Sequence, residues 1–196
     1  AIGCGVAARM LARKLARKLE GEAFVAGVVH DIGKLILIEY FPNEFGESLE
    51  MARDEYLTIS EAEMKVIGVT HAEIGGWLAE KWNLPETLVQ AITYHHNPMD
   101  VEEPSELLMV THAANALTRH NHIGQAGDSL GASLSPEVSA MLKSGRDVSD
   151  EDLLADLSEG LEFELEKARV FNELETELFE TGSDGPDEDG PETVGA

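Results

Sequence analysis

The chain has a single cysteine among its 196 residues, Cys4, so no intramolecular disulfide can staple the fold and a Cys-rich zinc site is excluded. A reducing, cytoplasmic setting fits that usage best. No stretch approaches the roughly 18 apolar residues of a membrane-spanning helix, and the first residues lack the basic-then-apolar pattern of a signal peptide. Basic residues are scarce too: 14 Lys and Arg stand against 38 Asp and Glu, a formal net charge of -24. That excess repels a phosphate backbone, whose affinity for proteins comes largely from Lys and Arg displacing counterions, and it argues against direct nucleic-acid binding. The period-two alternation of β-branched residues that a sheet requires is also missing, which points to an all-α fold.

What is present is 43% hydrophobic residues, enough to bury a core in a chain of this length. From Val6 to Leu19 the positions Val6, Met10, Leu11, Leu15 and Leu19 recur at helical spacing and predict an amphipathic helix. Arg9, Arg13, Lys14, Arg17 and Lys18 occupy its other face, five of the 14 basic residues; they read first as a solvated face and second as a patch for an acidic partner. No capping residue precedes this helix, and its pattern is already running at Ala1, which predicts a fragment that starts inside a larger protein. After Gly21 the run EAFVAGVVHDIGKLILIEYF is apolar nearly all round and predicts buried helix. Gly33 breaks it into one helix to about Asp31 and another to about Tyr40, and Pro42 ends the second.

Ser60 with Glu63 and Thr70 with Glu73 match the capping box and predict two more helices. Pro85 opens a helix to about His96, Pro98 stops it, and Ser105 opens another through about Arg119. Residues 121–134 read as a loop and Pro136 to Ser144 as a short helix. From Ser149, leucines at three-to-four spacing (Leu153, Leu154, Leu157, Leu161, Leu165) predict a long amphipathic helix that packs on the core or on a partner. The expected organisation is one helical domain over 1–180, lacking its N-terminal part, and a disordered acidic tail over 181–196.

The chemistry-bearing residues are histidines on or beside these helices: the pair His30-Asp31, then His71, then His95-His96, with Lys34 one turn beyond Asp31. Imidazole and carboxylate are ligands that divalent metals accept, and a buried Asp inside VVHDIGKL needs a partner or a metal. Each position also has a plainer reading. His30 could be a hydrogen-bonded core histidine, Asp31 could pair with Lys34, and His71 could be a first-turn residue behind the Thr70 cap. One of His95 and His96 is expected to face solvent, since neighbours on a helix diverge. His112, His120 and His122 are expected outside the site, and Cys4 reads as a buried small residue with no base beside it. Trp77, Trp82, Tyr94 and Phe41 are expected in the core, in preference to a base-stacking platform.

AFVAGVVHDIGKLILIEYF at 23 to 41 resembles the motif region of the HD superfamily, and THAEIGGWLAEKWNLPETLVQAITYHHNP resembles its HDOD signalling branch; THAAN at 111 to 115 falls where that family's next helix carries its final motif. The resemblance covers roughly residues 1 to 120. It implies a helical bundle with a site in a groove between helices. In the superfamily's phosphohydrolases an early His, a His-Asp pair and a late Asp bind metal, which polarises a phosphoryl oxygen and lowers the pKa of bound water. The resemblance pairs His30 and Asp31 with the central pair and Asn115 with the late Asp, where an amide is a poorer ligand for a hard cation. The early His would fall before Ala1.

His71, His95 and His96 resemble histidines added in the cyclic-di-GMP-hydrolysing HD-GYP branch, and Lys34 its phosphate-directed lysine. No Glu directly follows His96, and no Gly-Tyr-Pro follows at all. The expectation is therefore a non-catalytic regulatory module of a bacterial signalling protein, acting through protein contacts with other signalling proteins or domains, or as a homo-oligomer, without nucleic-acid or membrane contact. Its site would hold iron, manganese or zinc at His30, Asp31, His71, His95 and His96. The rival expectations are a metal-dependent phosphohydrolase of a nucleotide or cyclic dinucleotide, and a metal or diatomic-gas sensor.

Overall fold

Helical periodicity becomes helix wherever a cap or a proline marks a boundary, and the computed structural model, which describes residues 1–15 and 17–181, is all-α with no strand among the described residues. The elements are α1 (Ile2–Leu15), a 3-10 turn (Arg17–Leu19), α2 (Glu20–Val29), α3 (Ile32–Tyr40), α4 (Pro42–Asp54), α5 (Ile59–Val66), α6 (His71–Lys81), α7 (Glu86–Tyr94), a second 3-10 turn (Pro98–Asp100), α8 (Glu106–His120), α9 (Pro136–Lys143) and α10 (Asp150–Thr181). Thr181, expected as the first residue of an acidic tail, is the last of α10; the rest of that tail lies outside the described residues.

Three apolar clusters organise the packing. The largest joins α1, α2, α8, α9 and the first half of α10 through residues such as Val6, Leu11, Ala26, Leu117 and Leu153. A second joins α3, α4 and α5 around Leu37, Phe45 and Ile59. A third joins α6 and α7 around Ala79, Val89 and Ile92, with Val29 and Ile32 packed against it. Of the basic face on α1, Arg9 lies over the Phe24 ring and Arg13 pairs with Glu20 and Glu164.

Several expectations are corrected. Pro42 does more than end α3: it takes the first position of α4, where its missing N–H is no loss. The capping box of α5 is Thr58 with Glu61, not Ser60 with Glu63, so this helix starts one residue before Ser60 and Glu63 is turned into the core. Trp77, Trp82 and Phe41 are 60%, 58% and 43% exposed, not core residues. On α6 the inward face is taken by Ala72, Gly75, Gly76 and Ala79, whose small side chains bring neighbouring helices close and leave Trp77 outside.

The connection from α8 to α9 crosses the molecule tied at several points. Lys34 Nζ donates to the Ala126 carbonyl, and Ser135 N–H donates to His112 Nε2. The Asp128 carboxylate, fully buried, accepts from Arg119, from Ile59 N–H and from Leu130 N–H. Burial works against the charged form, but the Arg119 guanidinium and the two backbone donors outweigh it and hold this carboxyl below its ordinary value. A depressed carboxyl stabilises above the unfolded pKa, about 3.9, and loses that contribution as pH falls through the folded value. Asp128→Ala is therefore expected to lower stability by about 2 kcal/mol at neutral pH. In urea unfolding at descending pH the gap between parent and variant closes in the acid range; a constant gap would contradict this role.

Candidate metal centre

The histidines and Asp31 sit at helix ends, not in helix middles, where a chain leaving a helix can aim its side chain across a groove. His30 follows the last residue of α2, Asp31 precedes α3, His71 is the first residue of α6, and His95 and His96 follow α7. His95 keeps helical backbone angles just beyond α7, yet His95 and His96 both turn their rings into the groove. Their rings lie 4.1 Å apart and both join the cluster, so the expectation that one of them faces solvent is corrected.

One ligand atom each from Asp31, His71, His95 and His96 lies within 4.8 Å of the others. His71 Nε2 and His95 Nε2 stand 3.2 Å and 3.5 Å from Asp31 Oδ1, and His96 Nε2 is 3.0 Å from His71 Nε2. His30 is alongside: its Nε2 is 3.4 Å from Asp31 Oδ2 and its ring meets the His95 ring edge-on at 4.8 Å. Lys34 Nζ donates to Asp31 Oδ2 at 2.7 Å. Asn115 lines the same cleft as His30, Asp31, Lys34 and His96, outside the group of four.

The second ring nitrogens of His30, His71 and His95 are anchored. His30 Nδ1 faces the Gly27 carbonyl at 2.8 Å and His95 Nδ1 the Ile92 carbonyl at 2.8 Å, each three residues back along its own helix. His71 Nδ1 meets Glu63 Oε2 at 2.7 Å. With the protons held on Nδ1, the Nε2 lone pairs point inward, the arrangement that metal-ligating histidines need. His112, expected outside the site, does not join the four but supports them: its Nδ1 donates to the His95 carbonyl at 2.8 Å. In the sequence Glu63 matches a capping residue three positions after Ser60, which hides its part in the site. The available signal was its place on the buried stripe of α5, beside Ala62 and one turn after Ile59.

The electrostatics favour neutral rings at His30, His95 and His96 around one carboxylate. Burial pushes His30 down to about 4 and holds His95 and His96 below the ordinary histidine value, His96 well below. For Asp31 burial works upward, but His30, His71, His95 and Lys34 outweigh it and keep the carboxylate charged. His71 is the exception: burial lowers it, but the Asp31 and Glu63 carboxylates on either side of its ring more than offset that and raise it above the ordinary value. Cys4, on the wall of the cleft, is pushed up to about 12 by burial and is no thiolate ligand.

A divalent ion fits this donor set. Asp31 Oδ1 and His95 Nε2 are buried and have no hydrogen-bond partner, a state that is costly for polar atoms unless something else satisfies them. One carboxylate oxygen and three imidazole nitrogens suit iron, manganese or zinc.

Comparison with known proteins agrees with the fold. The sequence profile of the HDOD domain matches residues 1–98, half of the chain. An uncharacterised protein of Treponema pallidum (strain Nichols) is 29% identical over 102 residues, 52% of this chain and 20% of that protein. An HDOD domain protein of unknown function from Geobacter sulfurreducens superposes with a TM-score of 0.69 at 23% identity, over 83% of this chain and 58% of its own. A protein provisionally named for signal transduction from Marinobacter aquaeolei VT8 gives 0.62 at 24% identity, over 85% of this chain and 37% of its own. One provisionally named a phosphohydrolase from Shewanella amazonensis SB2B gives 0.58 at 22%, over 85% and 62%. The chain thus spans a fifth of the curated relative and less than two thirds of each of these structures. Among the described residues no helix is long and apolar enough to cross a membrane.

Proposed function

This chain belongs to the HDOD domain family, and from that premise we propose that it is a signalling module of a bacterial cytoplasmic protein. In this reading it holds a divalent metal ion at Asp31, His71, His95 and His96 and acts through protein contacts instead of turning over a substrate. The observation that carries the reading is the inward-facing Nε2 set around Asp31, with Asp31 Oδ1 and His95 Nε2 buried and unpartnered. A bound ion would supply Lewis acidity to an oxygen ligand. The chain's own residues do the rest. Asp31 contributes the charge, Lys34 fixes the rotamer of Asp31 through Oδ2, and the backbone carbonyls of Gly27 and Ile92 hold the His30 and His95 rings.

Against hydrolysis stand Asn115, which brings no charge where the superfamily resemblance pairs it with a ligating Asp, and Asn97, which follows His96 where the hydrolysing branch has Glu. In favour of partner contacts are the large apolar side chains left on the surface, among them Trp77, Trp82, Leu35 and Ile38. The partner would be another signalling domain or a second copy of the chain.

A metal-dependent phosphohydrolase remains the second reading, favoured by the open cleft of about 1040 Å³ in which Lys34, His30, Asp31 and Asn115 meet. The assay that separates the two is hydrolysis of bis(p-nitrophenyl) phosphate by protein supplemented with Mn²⁺ or Fe²⁺. No turnover above the His30→Ala background is expected; turnover that falls in His30→Ala would establish the enzyme.

A further inference from the structure

We infer that Glu63 is the positioning residue of the centre: it holds His71 with its proton on Nδ1, so that Nε2 is free for a metal ion. This rests on the metal-centre reading above.

Glu63 sits on α5 with no exposure to solvent, and Oε2 accepts two hydrogen bonds from one residue, His71 N–H at 2.8 Å and His71 Nδ1–H at 2.7 Å. Oε1 is buried and has no hydrogen-bond partner. A fully buried carboxyl is unfavourable unless it does something an apolar side chain cannot. Capping accounts for only one of these bonds: the box of Thr70 and Glu73 leaves the His71 N–H to Glu63, but the amino end of α6 does not call for the second bond, to the ring.

The ring of His71 supplies the explanation. His30 and His95 leave the carboxyl ends of their helices, where a carbonyl three residues back accepts from Nδ1. His71 is the first residue of α6, so the carbonyl three residues back, that of Gly68, lies outside the helix and cannot play this part. A side chain from another helix must accept the Nδ1 proton, and Glu63 does. A carboxylate in this place also makes the imidazole a stronger donor than a backbone carbonyl would.

Two measurements test this. In ¹⁵N-labelled protein loaded with Zn²⁺, ring correlations of His71 are expected to show Nδ1 protonated; a proton on Nε2 overturns the inference. In a chelator competition, Glu63→Gln, which keeps the length of the side chain and removes its charge, is expected to weaken Zn²⁺ binding about 10- to 100-fold. The zinc-free variant should unfold at no lower temperature than the zinc-free parent, since a buried charge has been removed. A merely structural Glu63 gives the opposite pair, a less stable zinc-free variant with affinity within about twofold of the parent, and that result overturns the inference. If Glu63→Gln fails to fold, the ring proton in the parent decides. A parent that takes up no Zn²⁺ defeats the metal-centre reading and this inference with it, whereas a parent that binds and a variant that binds equally well defeats only the inference.

Discussion

Asp31→Ala is expected to abolish metal binding, with a loss of affinity larger than the roughly 10- to 100-fold that removal of an outer partner costs. Asp31 is the one carboxylate in the group of four, and its Oδ1 stands within 3.2 Å and 3.5 Å of the His71 and His95 Nε2 atoms. Without it a divalent ion would meet three neutral rings, with the cation of Lys34 nearby and no compensating charge. The fold should survive. Asp31 gives no side-chain cap to α3, and Lys34 keeps its bond to the Ala126 carbonyl. Zn²⁺ competition alongside far-ultraviolet circular dichroism checks both halves; a variant that binds as the parent does would remove Asp31 from the centre.

Gly33→Ala attacks the same centre through the backbone. Gly33 lies in the first turn of α3 where that helix meets α6. A Cβ there would collide with the His71 carbonyl oxygen and stand 2.8 Å from the backbone nitrogen of Gly75. Neither neighbour is a side chain that can swing away, so the helices must separate. Overpacking of this kind costs about 3 kcal/mol, at the upper end of its usual range. For a chain of this length the unfolding midpoint should drop on the order of 10 °C. Because the contact joins the residue two after Asp31 to His71 itself, the shift should weaken metal binding as well. Thermal unfolding and Zn²⁺ affinity measured on one preparation test this; an unchanged midpoint would show that α3 and α6 approach less closely than described.

Much of this was legible in the sequence, for local reasons. Thr70 with Glu73, Ser105 and Ser149 announced helices because capping is a short-range hydrogen bond written in adjacent residues. The candidate ligands His30, Asp31, His71, His95 and His96 stood out as polar groups in apolar surroundings and through their likeness to HD-superfamily motifs. What failed depended on distant partners. Glu63 is three residues from Ser60 and looks like a cap, but its partner is His71, eight residues on and in another helix. Trp77 has helical spacing and apolar neighbours, yet the inward side of α6 is set by how closely α3 and α7 approach its glycines. Helix α4 was hidden because Pro42 serves equally well as a stop and as a start.

The central claim is that Asp31, His71, His95 and His96 hold a metal, and elemental analysis tests it most directly. Protein produced with iron, manganese and zinc available and purified without chelators is expected to carry about one ion per chain, the capacity of a single four-ligand group. The Asp31→Ala and His71→Ala variants should carry none. A parent protein that holds no metal as purified, and takes up none when iron, manganese or zinc is added, would contradict the account.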